Sequence, residues 1–339
     1  MKIQPNTPLS HLTTMQLGGP ATVATCTNRD DIEQIVQRAA TEQKPYFVLG
    51  GGSNVIASDQ GFSGYIILNR IDGFDIIADD DVSTTVRVGA GENWDHTVAR
   101  LVDMHLSGCE AMSAIPGTAG ATPVQNVGAY GQEIADTLVE LEAYDTQSQH
   151  WVTLDKAACQ FSYRNSAFKN PSTRHHIITS ITLRLRKESM QPPFYDSLQR
   201  YLDAHSITDY SPASIRKAVT AIRADKLPDP AKIPNTGSFF KNPIVERAVV
   251  QSLLAAHPDM PHFPLPNGDE KLAAGWLIEQ AGLKGYAAHG FATHDKNALV
   301  VVNRDAHHYD DLQRFAAEIV DTVRSHFGIT LSQEPEILA

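Results

Sequence analysis

Cysteine is scarce and scattered. Cys26, Cys109 and Cys159 are the only three in 339 residues, with no CxxC pair and no metal-ligand spacing. That argues against a disulfide scaffold or a structural zinc site and favours reduced structural thiols. Long apolar runs are missing too: "ALVVV" around Val300 is far short of the roughly 20 residues that span a bilayer. The opening "MKIQPNTPLSHLTT" has no apolar signal core, so a cytoplasmic protein with no membrane partner is expected. Basic residues are outnumbered, 28 against 39 acidic, for a net charge of −11. A nucleic-acid partner, which demands a basic face, is thereby disfavoured. A small anionic ligand held by a few focused cations is not. No internal repeat or low-complexity tract occurs, and 42% hydrophobic with 20% charged residues is globular composition, enough for two or three domains.

Several catalytic signatures are likewise absent. "LGGGSN" lacks the lysine of a P-loop, and "VGAGENW" lacks the third glycine of the dinucleotide fingerprint. No GxSxG elbow surrounds any serine. The pairs His175/His176 and His307/His308 have neither HxxxH spacing nor patterned carboxylates, and read as solvated loop residues, with no metal site expected.

What is present is an alternation of helical and strand periods. Ile32, Ile35, Val36, Ala39 and Ala40 mark an amphipathic helix over 28–44, followed by "PYFVLGGGSNV", a strand running into glycines. "TTVRVGAGENW" repeats the strand-to-glycine pattern and leads into a helix carrying Trp94, Val98, Leu101 and Val102 and stopped by Gly108. Residues 115–132, "IPGTAGATPVQNVGAYGQ", have no period of 2 or 3.6; a long apolar loop of this kind is expected to be ordered and functional. "HIITSITLRLR" over 176–186 alternates as a half-buried strand, and "KESMQPPFYDSLQRYL" reads as an insertion or boundary. Helical stripes over 245–256, 271–281 and 310–327, with strands such as "ALVVVN", form a separate α+β portion beginning near "TAIRADKLPDP".

Each glycine turn alone serves any φ > 0 position. Together with the 115–132 loop, the turns suit a large phosphate-bearing cofactor lying along exposed backbone. "IPNTGSFFKNP" packs a serine, two rings and a cation into a proline-bounded stretch, the composition of a pocket wall. Arg164 alone would be a surface ion-pair residue, and Glu336 in "SQEPEILA" a residue of a frayed tail.

"LGGGSN", "VGAGENW", "IPGTAGATPVQNVGAYGQE", "YRNSAFK", "KLPDP…NTGSFFKNP", "KLAAGWLIEQAGLKG" and the closing "EPE" together resemble the UDP-N-acetylenolpyruvoylglucosamine reductase family, in order along essentially the whole chain. Within it, Tyr195 and the Leu-Pro-Asp-Pro run resemble the longer subclass with a mobile tyrosine loop. The resemblance implies an α+β protein with a non-Rossmann FAD-binding fold of the vanillyl-alcohol-oxidase type, built of two α/β subdomains, plus a C-terminal α+β substrate domain. The expected divisions are subdomain 1 over 1–70, subdomain 2 over 71–212, the substrate domain over 213–328 and a tail over 329–339 returning to the active site.

The implied activity is ping-pong: NADPH reduces FAD, and UDP-N-acetylglucosamine enolpyruvate then takes the hydride, giving UDP-N-acetylmuramate for bacterial peptidoglycan synthesis. By resemblance Ser238 is the proton donor, and Arg164 with Glu336 polarises the substrate carboxylate. Gly50, Gly51, Gly52, Ser53 and Asn54 match the pyrophosphate turn. Ile115, Pro116, Gly117, Gly120, Ala121 and Thr122 match the loop along the flavin. Tyr130, Tyr195, Lys226, Asn242 and Lys284 match nucleotide-sugar or NADPH contacts, and Arg223 and Lys241 are further cations for an anionic cleft. A monomer is expected. The alternatives are another flavin-dependent oxidoreductase on this fold and a catalytically silent nucleotide-sugar-binding protein.

Overall fold

The computed structural model describes residues 1–170 and 174–338. The chain forms two compact units. The first holds Met1–Thr7, Ala21–Gly51 and Ser63–Ala224; the second holds Pro8–Pro20, Gly52–Phe62 and Asp225–Ala339.

In the first unit a four-stranded sheet has the spatial order Lys2–Pro8, Pro20–Cys26, Phe62–Asn69, Tyr46–Leu49, the last two strands parallel. The Arg29–Thr41 helix covers it. Asn28 caps this helix by accepting from the Asp31 N–H, and Ile32, Ile35, Val36 and Ala39 pack onto Ala24, Cys26, Tyr65 and Ile67. A second sheet of five antiparallel strands runs His150–Asp155, Leu138–Asp145, His176–Arg186, Ser83–Gly89, Phe74–Asp79. Such a sheet is not the parallel doubly wound array of a Rossmann fold. Its core joins Val86, Val88, Leu141, Ile181, Leu183 and Leu185 to Trp94, Val98 and Leu101 of the Trp94–Asp103 helix.

The central strand spans 176–186 as its alternation predicts, but it is more than half-buried. Ser180 and Thr182, on the side expected to be wet, are 7% and 4% exposed. Ser180 Oγ donates to Glu142 Oε2 at 3.1 Å and Asn69 Nδ2 to the Ile178 carbonyl at 2.7 Å, whereas the buried Thr182 hydroxyl has no hydrogen-bond partner among the described residues. The stretch read as an insertion contains the Asp196–Ala204 helix, which buries Leu198 and Leu202 against Ile215, Ala218, Val219 and Ile222 of the Pro212–Lys226 helix. That packing keeps residues 213–224 with the first unit, although 213 had been expected to open the substrate domain.

The second unit centres on the strands Asn235–Ser238, Val300–Asn303, Phe291–Thr293 and Ala287–Ala288, antiparallel in that order. Its core combines Phe239, Phe240, Phe291, Leu277 and Phe315, Ile319 and Val323 of the Tyr309–Phe327 helix. Met15, Leu17 and Ile56, distant in sequence, belong to the same core. The helical stripe expected over 271–281 is split. Glu270–Leu272 is a strand between Ile244–Val245 and His262–Pro264, and the helix starts at Ala274. The stripe over 245–256 likewise yields strand at Ile244–Val245 and helix only over Arg247–Ala256. No helix among the described residues is long and apolar enough to cross a membrane.

Candidate active site

In the first unit the three glycine-bearing segments meet. A Cβ built on Gly50 would stand 2.5 Å from Thr118 Oγ1, one on Gly51 2.8 Å from the Gly117 Cα, and one on Gly120 2.5 Å from the Ala90 Cβ. Side chains there would push the segments apart, so glycine is what allows the contact. Backbone bonds fix the register: Trp94 N–H to the Gly117 carbonyl at 3.1 Å, Ala119 N–H to Glu92 at 2.8 Å, Gly120 N–H to Ala90 at 2.9 Å. Ala121 closes the 3-10 turn Ala119–Ala121, and Thr122 Oγ1 donates to the Ala119 carbonyl at 2.7 Å.

The surface of this junction fits a phosphate-bearing cofactor. Gly51 and Pro116 are exposed and Ile115 is half-buried. Among the described residues nothing accepts a hydrogen bond from the Gly51 N–H. Arg70, which no motif marked, donates through Nη1 to the Gly50 and Asn69 carbonyls at 3.1 and 3.0 Å. Burial holds its pKa below the ordinary arginine value, so an anion near the turn would find a partly desolvated cation. Gly52 begins the second unit with φ +64°, and a Cβ on it would lie 1.9 Å from the Leu12 carbonyl oxygen. Ser53 and Asn54 follow it, both half-buried.

The first unit also gathers Arg164, Tyr130, Tyr195 and Arg223. Arg164 sits at φ +53° in the turn closed by Ser162 and Asn165, and its Nη2 donates to the Gly128 carbonyl at 2.7 Å. Tyr130, at φ +49°, is half-buried; burial raises its hydroxyl pKa while the nearby Arg223 opposes that. The exposed Tyr195 ring meets it edge-on with centroids 6.1 Å apart. Arg223 donates from Nε to the Ala114 carbonyl at 3.3 Å. Burial first, and the like charge of Arg164 with it, push the Arg223 pKa down. The Tyr130 hydroxyl and the Asp95 carboxylate beside Arg223 oppose that shift.

In the second unit Ser238 ends the Asn235–Ser238 strand. Gly237 turns the chain with φ +70°, its N–H held by Asn235 Oδ1 at 2.8 Å. Phe239 and Phe240 are 0% and 2% exposed, rings edge-to-face at 5.0 Å. Those two rings anchor the segment, answering why a serine stands between glycine and phenylalanine. Among the described residues no hydrogen bond engages the half-buried Ser238 hydroxyl.

The tail does not fray. Glu334 N–H donates to the Phe239 carbonyl at 2.9 Å and Lys241 N–H to Ser332 at 2.9 Å, so the tail is laced to the segment just after Ser238. Glu336–Leu338 then pairs in parallel with Val55–Ala57, and Glu336 N–H donates to Asn54 at 2.9 Å.

The remaining expected contacts are placed as follows. Asn242 Oδ1 accepts from the Ala274 N–H at 2.9 Å, serving the start of the Ala274–Gln280 helix. Lys284 is exposed and pairs with Glu279 at 2.8 Å; Lys226 is exposed and Lys241 half-buried. His175 and His176 are half-buried rather than solvated, and with Asp145 they offer ligand atoms within 4.8 Å of one another. The Asp145 carboxylate is engaged in its own turn, taking N–H bonds from Gln147 at 2.9 Å and Ser148 at 3.3 Å.

Residues 229–338 match the family described as UDP-N-acetylenolpyruvoylglucosamine reductase, C-terminal domain, and residues 20–154 match the FAD binding domain family. A UDP-N-acetylenolpyruvoylglucosamine reductase of Ralstonia nicotianae is 40% identical over 340 residues, covering 99% of both chains. The chain belongs to the UDP-N-acetylenolpyruvoylglucosamine reductase family. A reductase of the same name from Cupriavidus pinatubonensis is 42% identical over 294 residues, covering 87% of this chain and 86% of its own. The crystal structure of the Thermus caldophilus member, at 23% identity, superposes with TM-score 0.69 over 100% of both chains and confirms the shared fold. The expected α+β, non-Rossmann FAD fold is therefore borne out, and the protein is an FAD-containing oxidoreductase.

Proposed function

We propose that the chain reduces UDP-N-acetylglucosamine enolpyruvate to UDP-N-acetylmuramate with NADPH, in two half-reactions at one site, as a cytoplasmic monomer of bacterial peptidoglycan synthesis. Bound FAD would accept hydride from NADPH and pass it to the vinyl carbon of the sugar ether. The residues of the chain do the rest. Gly51 and Gly52 would hold the pyrophosphate through backbone N–H groups, and residues 115–122 would hold the ring system. Arg164 holds the substrate carboxylate through planar N–H donors while negative charge builds next to it. Glu336 works beside that carboxylate only if protonated or sharing Arg164, since two unshielded anions repel. Ser238 supplies the proton to the carbon that has become enolate-like. Tyr130, Tyr195, Arg223, Lys226, Asn242 and Lys284 bind the nucleotide sugar and NADPH.

One observation carries the assignment of Ser238. Its hydroxyl stands unengaged by any described residue, on a segment fixed by two buried rings and a left-handed glycine. A half-buried hydroxyl with no partner among the described residues, on a firmly held segment, is open to a ligand. The functional test is NADPH oxidation by the purified yellow protein without oxygen. Oxidation should await the enolpyruvyl sugar once the flavin is bleached, and UDP-N-acetylmuramate should accumulate. A flavin bleached by NADPH whose colour the enolpyruvyl sugar fails to restore would point to a different oxidoreductase, and a colourless protein that takes up no FAD to a silent binding protein.

A further inference from the structure

The start of the Trp94–Asp103 helix serves as a template for the segment leading into the 115–122 loop. Asn93 bridges to Thr118, the Trp94 N–H reaches the Gly117 carbonyl at 3.1 Å, and the Trp94 indole Nε1 reaches the Met112 carbonyl at 3.3 Å. Between these anchors lies Ala114, at φ +57°, a backbone region a residue with a Cβ keeps only under restraint. The restraint comes from both sides. Asp95 Oδ1 accepts the Ala114 N–H at 2.6 Å, and Arg223 Nε donates to the Ala114 carbonyl at 3.3 Å.

Asp95 is itself oriented. Arg216 Nη1 reaches Oδ1 at 2.6 Å and Nη2 reaches Oδ2 at 3.1 Å, a two-pronged pairing that fixes the plane of the carboxylate. The pair is partly buried, Arg216 22% and Asp95 31% exposed at the side chain. Arg216 and Arg223 are two turns apart on the Pro212–Lys226 helix, so one helix face supplies both grips.

We infer that the Asp95–Arg216 pair is a positioning device for the flavin: by fixing the Ala114 peptide it sets the backbone of Ile115, Pro116 and Gly117, and with it the affinity of the protein for FAD. The inference rests on the proposed placement of residues 115–122 along the ring system. Asp95 and Arg216 touch neither cofactor nor substrate in this scheme. They act through Ala114, and their effect is carried by a backbone that must be in place before FAD arrives.

The test is titration of flavin-stripped protein with FAD, followed by flavin fluorescence, for wild type, Asp95→Ala, Arg216→Met and the double variant. Each single change should raise the FAD Kd about tenfold, and the double change should add no more than about twofold, because the two residues form one unit. Should Asp95→Ala fail to fold, Asp95→Asn keeps an acceptor for Ala114 without the ion pair and should raise the Kd by a smaller factor. Urea unfolding of the same FAD-free proteins separates positioning from bulk stability. Folded variants with unchanged Kd and a lowered midpoint overturn the inference, as do fully additive effects. A Gly117→Ala change provides the control for the loop. If it weakens FAD binding while the Asp95 and Arg216 variants bind normally, the pair alone loses its role; if it too is without effect, the placement of the loop falls and takes the inference with it.

Discussion

At Gly52 the backbone, not chemistry, dictates the residue. Its φ of +64° and the 1.9 Å approach of the Leu12 carbonyl to a would-be Cβ leave no room for a side chain. Gly52→Ala should cost about 3 kcal/mol or more, seen as a lower urea midpoint at constant slope. A change under about 0.5 kcal/mol would mean the turn relaxes readily. Ser238 is the opposite case: its strand is well held, and the hydroxyl adds nothing visible to that hold. The motif around it was legible because glycine, aromatic rings and a cation crowd a short proline-bounded stretch. Arg70 was not legible, because a lone arginine after a strand has no signature; only folding puts it at the Gly50 carbonyl.

Among the elements, the tail strand ties stability to the site. Leu338 is 2% exposed, its carbonyl accepts from Ser58 N–H at 2.9 Å, and the Glu336 N–H is bonded to Asn54. Ending the chain at Pro335 should therefore cost about 3 kcal/mol, from one buried leucine and two strand bonds. Glu336→Gln keeps that backbone and should leave thermal stability unchanged while slowing turnover. If both variants lost stability alike, the carboxylate would be a structural group. The Asp95 carboxyl offers a pH test of its pairing. Burial would raise its pKa, but the Arg216 and Ala114 bonds outweigh burial and hold it low. A depressed folded pKa contributes stability above the unfolded value near 3.9 and loses it as pH falls through the folded pKa. The stability gap between wild type and Asp95→Asn should be full at neutral pH and close below about pH 4; a gap independent of pH would contradict the ion pair.

Elements with a local signal were readable in advance. The stripe of Ile32, Ile35, Val36 and Ala39 marked the first helix, and the 176–186 strand was found end to end. Residues 271 and 272 were misassigned because their apolar spacing fits a helix as well as a strand, and only pairing with 244–245 and 262–264 decides. The Asp95–Arg216 contact joins residues 121 apart in sequence, beyond any local pattern.

Across the whole molecule, an acidic chain has to concentrate cations to bind two anionic ligands. Under the proposed function the candidate cations are Arg164, Arg223, Lys226, Lys241 and Lys284. Screening shortens from about 30 Å at 0.01 M salt to about 8 Å at 0.15 M, so the KM for the UDP-sugar should rise several-fold over that range, with a smaller change in kcat. A salt-independent KM would mean these cations do not steer the ligand. The division into two units was hard to foresee because residues 8–20 and 52–62 pack with the C-terminal part, Met15, Leu17 and Ile56 entering its core.

The central claim is that Ser238 delivers the proton in the second half-reaction. Stopped-flow observation of flavin colour in Ser238→Ala tests it most directly. Bleaching by NADPH should match wild type, and recovery of colour on adding the enolpyruvyl sugar should slow by about 10²- to 10⁴-fold. Recovery at the wild-type rate, or equal loss of both phases, would contradict the claim.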